Sequence, residues 1–404
     1  MNQKSNSCWL GLFLVAIVLI LGCQSKHSVP GLIVGPSMAP SFVGTHFEVE
    51  CHVCKFPFRV DSDQAGSIPN FVCPNCGELT SKSEAVQKSA DRVEIVHSKT
   101  LSRFDVIAFT NPSDERVAIK RIIGLDNQAV ELVHGELLID GRLIQKDIVD
   151  QKKVRHLVHD SKFRHPELRW QKTVDQDGAT WRTFYNKPCF RMTSNESKWM
   201  ADRWTSVMFD YFGFNQNVGR KLNTVRDIAF EFHVDSSDEF RFQCLESEKL
   251  ILDVELLPNV GRLNWYFNGN SNQFRIHPKK QGWRVIEVSN FDGQWWVVLD
   301  GDTVAKKSVM TDQASYLNSL EKPDSSHFTY RISDNQKSTE RIKVYRDVYY
   351  FDSESSNGHS AFPASKGLIV LGDNLPLSSD SRTWTQNRIP RQNVLGIVRK
   401  SNSF

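Results

Sequence analysis

The chain has 404 residues, with 50 Lys and Arg against 47 Asp and Glu and a formal net charge of +3. That balance leaves no electrostatic footprint for nucleic acid, and the length predicts two or three domains with a sizeable core. The first element is an uncharged apolar run from Trp9 to Gly22, preceded by Lys4 and followed by Cys23. It is shorter than the roughly 20 residues of a usual spanning helix. Three readings stay open: a cleaved secretory signal, a lipoprotein signal ending at Cys23, and an uncleaved anchor. All three put the rest of the chain outside the cytoplasm, and Lys4 favours an amino terminus facing inward.

Leu32-Ile33-Val34 reads as a short strand leading into the turn Gly35-Pro36-Ser37-Met38-Ala39-Pro40. Cys51-x-x-Cys54 and Cys73-x-x-Cys76 follow. Their spacing suits a tetrahedral thiolate site for structural zinc with no open position, two local disulfides and a redox pair being the alternatives. Residues 104–123 read as a hairpin turned at Asn111-Pro112-Ser113-Asp114, with Lys120 on its second arm. A meander with turns at His134-Gly135 and Asp140-Gly141 comes next. Between about 160 and 345 the texture changes. Ile228–Val234, Leu250–Leu256 and Trp283–Val288 alternate with period two, and Asp292-Gly293 and Asp300-Gly301 mark tight turns around Trp295–Leu299. This pattern predicts a β-sandwich. Eight of the ten Trp lie between Trp170 and Trp296, and core packing accounts for most of them. Cys189 and Cys244 stand alone there, equally suited to pairing or to remaining buried thiols.

Ser37 and Lys120 are candidates for chemistry, though each taken alone also reads as a turn residue and a solvent-facing lysine. A neutral lysine amine can activate a serine hydroxyl, a recognised variant of triad logic. Lys120 must then be neutral near pH 7, which takes about 4 kcal/mol of differential solvation, and burial among apolar neighbours supplies it. A third segment, Gly372-Asp373-Asn374 through Ser378, Asp380 and Arg382, lies near the C-terminus.

These three motifs, in this order, resemble bacterial type I signal peptidase. The likeness covers roughly residues 9–43, 93–150 and 366–400. It rests on Ser37, Met38 and Pro40, on Lys120-Arg121-Ile122-Ile123-Gly124, and on the third segment. The resemblance implies Ser37 as nucleophile and Lys120 as base. It implies that Ser378 orients the lysine amine and that Asp380 and Arg382 form a supporting ion pair. The Ser37 N–H would contribute to the oxyanion hole, and Gly35 stands where some members carry a second, hydroxyl donor. Leu375, and Thr385-Gln386-Asn387-Arg388 before Ile389-Pro390, depart from the family pattern and imply a reshaped outer cleft.

The expected fold is mainly β. Residues 1–24 form the anchor or signal, and residues 25–150 the first part of the catalytic core with a zinc ribbon at 49–80. Residues 160–345 form an inserted jelly-roll-like β-sandwich, and 346–404 complete the core. The expected activity is a serine endopeptidase held by one N-terminal anchor in the bacterial inner (cell) membrane, with its catalytic domain extracytoplasmic. Its partners are exported preproteins as substrates, membrane lipid, and a ligand of the sandwich whose nature stays open. No cofactor serves catalysis. The rivals are a catalytically degenerate, membrane-tethered binding protein that uses the ribbon and sandwich, and a peptidase dedicated to one secreted partner.

Overall fold

A computed structural model of the chain describes residues 28–401 apart from 67, 164–168, 176–177, 186–207, 278, 280, 311, 322–327, 334–338, 353–354 and 356–358. The apolar run from Trp9 to Gly22, and Cys8, Cys23 and Cys189, lie outside the described residues. Among those described, no helix is long and apolar enough to cross a membrane.

The described chain is mainly β, and its strands pair antiparallel. Six strands form the platform for the three motifs, in the order Ser28–Leu32, Arg92–Val96, Val394–Lys400, Val106–Thr110, Val117–Gly124 and Ile369–Leu371. The hairpin expected at 104–123 is present, pairing Ile107 with Lys120. The side chain of Asn111 accepts from the Ser113 N–H at its turn. The strand expected at Leu32–Val34 instead spans Ser28–Leu32. Pairing with Arg92–Val96 sets its extent, and Val34 is left fully in solvent.

A second sheet runs in the order Arg142–Leu143, Glu136–Ile139, Val130–Val133, Ser360–Phe362. Leu132, Leu137 and Ile139 pack against Ile123, Ile369 and Leu371 of the first sheet, with Phe104 and Phe362 in the same cluster. The turns at His134-Gly135 and Asp140-Gly141 have φ of 50° and 93°, and of 51° and 73°. Two successive positive φ values match the right-handed twist of the flanking strands, and Gly takes them without Cβ strain.

The middle region is a two-sheet sandwich. One sheet is ordered His156–Asp160, Thr339–Arg346, Ile228–Asp235, Trp283–Phe291, Gln294–Leu299, Asp302–Ser308. The other is ordered Trp170–Val174, Thr180–Phe184, Phe328–Ser333, Phe240–Glu246, Lys249–Leu257, Arg262–Phe267, Asn270–Arg275. Period-two alternation sends Phe230 and Phe232 from one sheet against Phe240, Phe242 and Tyr330 from the other, with ring centroids 4.8–5.5 Å apart. Trp170, Trp265 and Trp295 are buried in this core, as is the free thiol of Cys244. The sandwich begins and ends at one place, since His156 and Arg346 are register partners.

Among the joints between the sandwich and the rest, two are built on buried polar side chains. In one, Lys146 is buried between Asp292, which its amine contacts, and Asp347 at 3.0 Å. Glu136 and Asp227 share this interior, and burial pushes both carboxyls well above the usual range. That direction favours their neutral forms, which reduces the charge this interior has to hold. In the other joint, Asn75 accepts from the Asp160 N–H (3.1 Å) and from His159 Nδ1 (2.7 Å), and donates to Phe163 O (3.0 Å).

Candidate active site

Ser37 sits in a turn closed by Ala39 N–H to Pro36 O (3.0 Å) and Phe42 N–H to Met38 O (2.9 Å). Gly35, at φ 82°, brings the chain into it. Met38 and Ala39 are fully buried, while Ser37 is half-exposed. The turn therefore hangs on two buried side chains and presents the hydroxyl between them and solvent.

Lys120 is only 5% exposed, on the central part of its strand. Its Nζ donates to Ser37 Oγ at 2.7 Å. Burial drives its pKa from 10.5 down to about 8, partly opposed by the charges of Asp380 and Asp373 and assisted by Arg382. That drop is roughly 3 kcal/mol of lost cation solvation. The two carboxylates do not reverse it because each is clamped by an arginine. Arg382 reaches Asp380 through Nε (2.8 Å) and Nη2 (2.9 Å). Arg121 reaches Asp373 through Nε (2.6 Å) and Nη2 (2.5 Å). Both are bidentate charge-assisted pairs. Arg382 also ties Phe351 O and Leu375 O, and the Gly372 N–H donates to Asp380 (3.0 Å).

Ser378 is placed differently from the resemblance. Its Oγ is buried and has no hydrogen-bond partner among the described residues, so Lys120 Nζ is not bonded to it. The hydroxyl lies over Gly372, where a Cβ would run into both Ser378 Oγ and the Ser37 carbonyl oxygen. Gly372 is thus the spacer that lets the third motif approach the nucleophile turn.

Asn374 has no role implied by the motif resemblance, yet it is fully buried and touches the serine turn twice. Its N–H donates to Ser37 O (3.0 Å) and its Nδ2 to Pro36 O (3.0 Å). Its amide also pairs reciprocally with Asn215, at 2.6 and 2.9 Å. Arg121, Asp373 and Asn374 all lie inside motifs already recognised, which was the available signal. Asn215 had none.

The four cysteines cluster some way along the chain from the dyad. Cys51 and Cys76 Sγ are 3.6 Å apart, as are Cys54 and Cys73 Sγ. All four Sγ lie within 4.8 Å of one another, and all are buried free thiols. The two knuckles have the same backbone. Cys51 N–H donates to Phe56 O and Lys55 N–H to Cys51 O, as Cys73 N–H donates to Glu78 O and Gly77 N–H to Cys73 O. Lys55 and Gly77, at φ 63° and 84°, make the turns. Each knuckle aims two sulfurs at one point, the donor set that suits a tetrahedral metal ion.

A groove of about 710 Å³ runs beside the serine turn, from Pro40 and Val43 past Phe56 and Phe58 of the cysteine-bearing unit to Phe212 and Phe214.

Among solved structures, the galectin LEC-6 of Caenorhabditis elegans is similar at 11% identity, over 29% of this chain and 80% of its own, with a TM-score of 0.21. Alginate lyase A1-II′ of polysaccharide lyase family-7 is similar at 11% identity, over 59% of this chain and 96% of its own, with a TM-score of 0.21. The laminarinase catalytic domain of Thermotoga maritima is similar at 11% identity, over 44% and 75%, also at 0.21. Likenesses this weak say nothing about activity. A search of curated proteins found no match. The family model "Signal peptidase, peptidase S26" matches residues 7–184, a stretch that holds Ser37, Lys120 and the four cysteines but stops short of Gly372, and this match supports the signal peptidase family for the chain.

Proposed function

We propose that the chain is a membrane-bound serine endopeptidase that removes N-terminal leader peptides from exported preproteins by a Ser37–Lys120 dyad. The observation that carries this reading is the 2.7 Å contact from a buried, readily deprotonated Lys120 to Ser37 Oγ. The family match favours peptidase activity of the signal peptidase kind and preproteins as substrates.

In this mechanism neutral Lys120 takes the Ser37 proton as Oγ attacks the scissile carbonyl. The oxyanion that forms is met by the Ser37 N–H and a second backbone donor, since Gly35 offers no hydroxyl. Protonated Lys120 then gives its proton to the departing amine, leaving an acyl-enzyme on Oγ. A water, deprotonated by the Lys120 amine that is now neutral again, hydrolyses that ester, releases the acid product and restores the serine. Asp380–Arg382 and Arg121–Asp373 hold the walls of the lysine pocket without adding net charge to it. The four thiolates would hold a structural zinc ion that takes no part in the reaction. The Trp9–Gly22 run would keep Ser37 close to the extracytoplasmic lipid surface, either as a helix or through lipid on Cys23.

The test is cleavage of a model preprotein by the purified full chain, with Ser37→Ala and Lys120→Ala alongside and the new N-terminus sequenced. Cleavage at the leader junction, lost in both variants, is the expected result. Cleavage that survives Ser37→Ala, or no cleavage by the natural chain, overturns the reading and leaves the degenerate binding protein.

A further inference from the structure

We propose that Asn215, contributed by the long middle region and not by any of the three motifs, is a positioning residue for the nucleophile and acts through Asn374. The proposal rests on the Ser37–Lys120 reading above. Asn215 lies beyond the residues matched by the family model.

Asn374 holds the serine turn by two carbonyl oxygens, Pro36 O and Ser37 O. The first of these bonds exists only while Nδ2, not Oδ1, faces Pro36. A terminal amide rotates easily between its two orientations, and the wrong one would set two oxygens against each other. Asn215 reinforces the orientation that Pro36 O selects. It accepts from Asn374 Nδ2 at 2.9 Å and donates to Asn374 Oδ1 at 2.6 Å, in an interior where both residues are buried.

Asn215 can do this because its own segment is pinned on several sides. Its N–H donates to Phe212 O and its carbonyl accepts from Val218 N–H. Phe214 packs on Ala39 and Val43 of the serine turn, and its carbonyl accepts from Asp61 N–H. Gln216 brackets both backbone groups of Val72 at 2.9 Å. The middle region thus reaches into the catalytic site and locks the carbonyl side of the nucleophile. A displacement of about 1 Å at a reacting atom can cost about a hundredfold in rate, so the lock matters for turnover more than for binding.

The experiment compares Asn215→Asp and Asn215→Ala with the natural full-length chain on a model preprotein. Active-site titration counts competent enzyme. Asn215→Asp keeps the shape but removes the donor and faces Asn374 Oδ1 with another oxygen. Asn215→Ala serves if the new charge prevents folding. The expected result is a ten- to hundredfold fall in kcat per titrated site, KM within about twofold, and an unmoved pH of half-maximal rate. A role in stability alone would lower the titre and the Tm but leave kcat per titrated site intact. Both variants within twofold of the natural kcat overturn this proposal while Ser37-dependent cleavage stands. Absence of Ser37-dependent cleavage in the natural chain overturns the parent reading and takes this one with it.

Discussion

A buried lysine is costly, and Lys120 carries that cost in two measurable ways. With its pKa lowered by burial to about 8, the reactive neutral form grows as pH rises through that value. The rate constant kcat/KM for preprotein cleavage should climb with pH and reach half its maximum near pH 8. A profile flat from pH 6 to 9 would remove Lys120 as the base. The same shift affects folding. The unfolded lysine, near 10.5, holds a proton more tightly than the folded one, so the fold bears a penalty below pH 8 that lifts as pH rises from 8 to 10.5. Lys120→Met should therefore abolish activity, by more than about 10³-fold, yet stabilise the chain at pH 7 by up to roughly 3 kcal/mol. Urea unfolding of the two proteins at pH 7 and pH 10 checks this, and the difference should shrink at the higher pH. The Ser37–Lys120 pair was legible because each residue sits in a short motif that resembles a known family's, although each residue taken alone is unremarkable. The Arg121–Asp373 clamp and the Asn215–Asn374 pair were not, since each is defined by a partner far away in sequence. The free Ser378 hydroxyl was equally invisible, because a motif gives residue types and not torsions.

At the level of elements, the two cysteine knuckles make the sharpest case. Their hairpins have few buried apolar residues beyond Phe56, Phe58, Val60, Ile68 and Phe71, and four thiols occupy the middle of that small core. Small units of this kind usually need a metal to hold together. Protein purified without chelator should carry one zinc per chain by elemental analysis. Stripping it should cost several degrees of Tm and expose this unit to proteolysis between residues 46 and 88. Two disulfides and no metal would refute the assignment. Turn chemistry explains which elements could be read in advance. Asp140-Gly141, Asp292-Gly293 and Asp300-Gly301 all have the paired positive φ of tight hairpins, as their sequences suggest. Ser247-Glu248 makes the same turn at φ 47° and 69° with no glycine. It was hidden because the strands Phe240–Glu246 and Lys249–Leu257 impose the turn through their pairing.

At the scale of the whole molecule, the sandwich is joined to the meander through the buried Lys146 cluster. Removing the Lys146 amine from an interior that also holds Asp292 and Asp347 leaves both carboxylates without the cation that pairs with them. Lys146→Met should cost about 3–5 kcal/mol, read as a fall in the urea midpoint. A change below 1 kcal/mol would mean that the acids simply take up protons. The mainly β character of the middle region was legible from its alternation and turns. Its sheet order was not, because sequence pattern gives the face of a strand but not its neighbour. The way the middle region enters the catalytic site was likewise beyond reach, since it depends on one buried loop.

The meeting of His156 and Arg346 at the root of the sandwich bears on the order of folding. The strand Ile369–Leu371 pairs with Val117–Gly124 only after the chain has made a very long excursion. Closing a loop costs entropy that grows with its length, as about (3/2)RT ln n. Once the sandwich has folded, its two ends stand about 5 Å apart, the spacing of an antiparallel pair, and the effective loop becomes short. The sandwich should therefore form first, and proteolytic competence should be the last property the chain acquires. Pulsed hydrogen exchange during refolding should find Ile228–Asp235 and Phe240–Glu246 protected before Ile369–Leu371. The opposite order would mean that the catalytic sheet nucleates without its insertion. On this order, a chain caught partway through folding holds a finished sandwich and no working nucleophile.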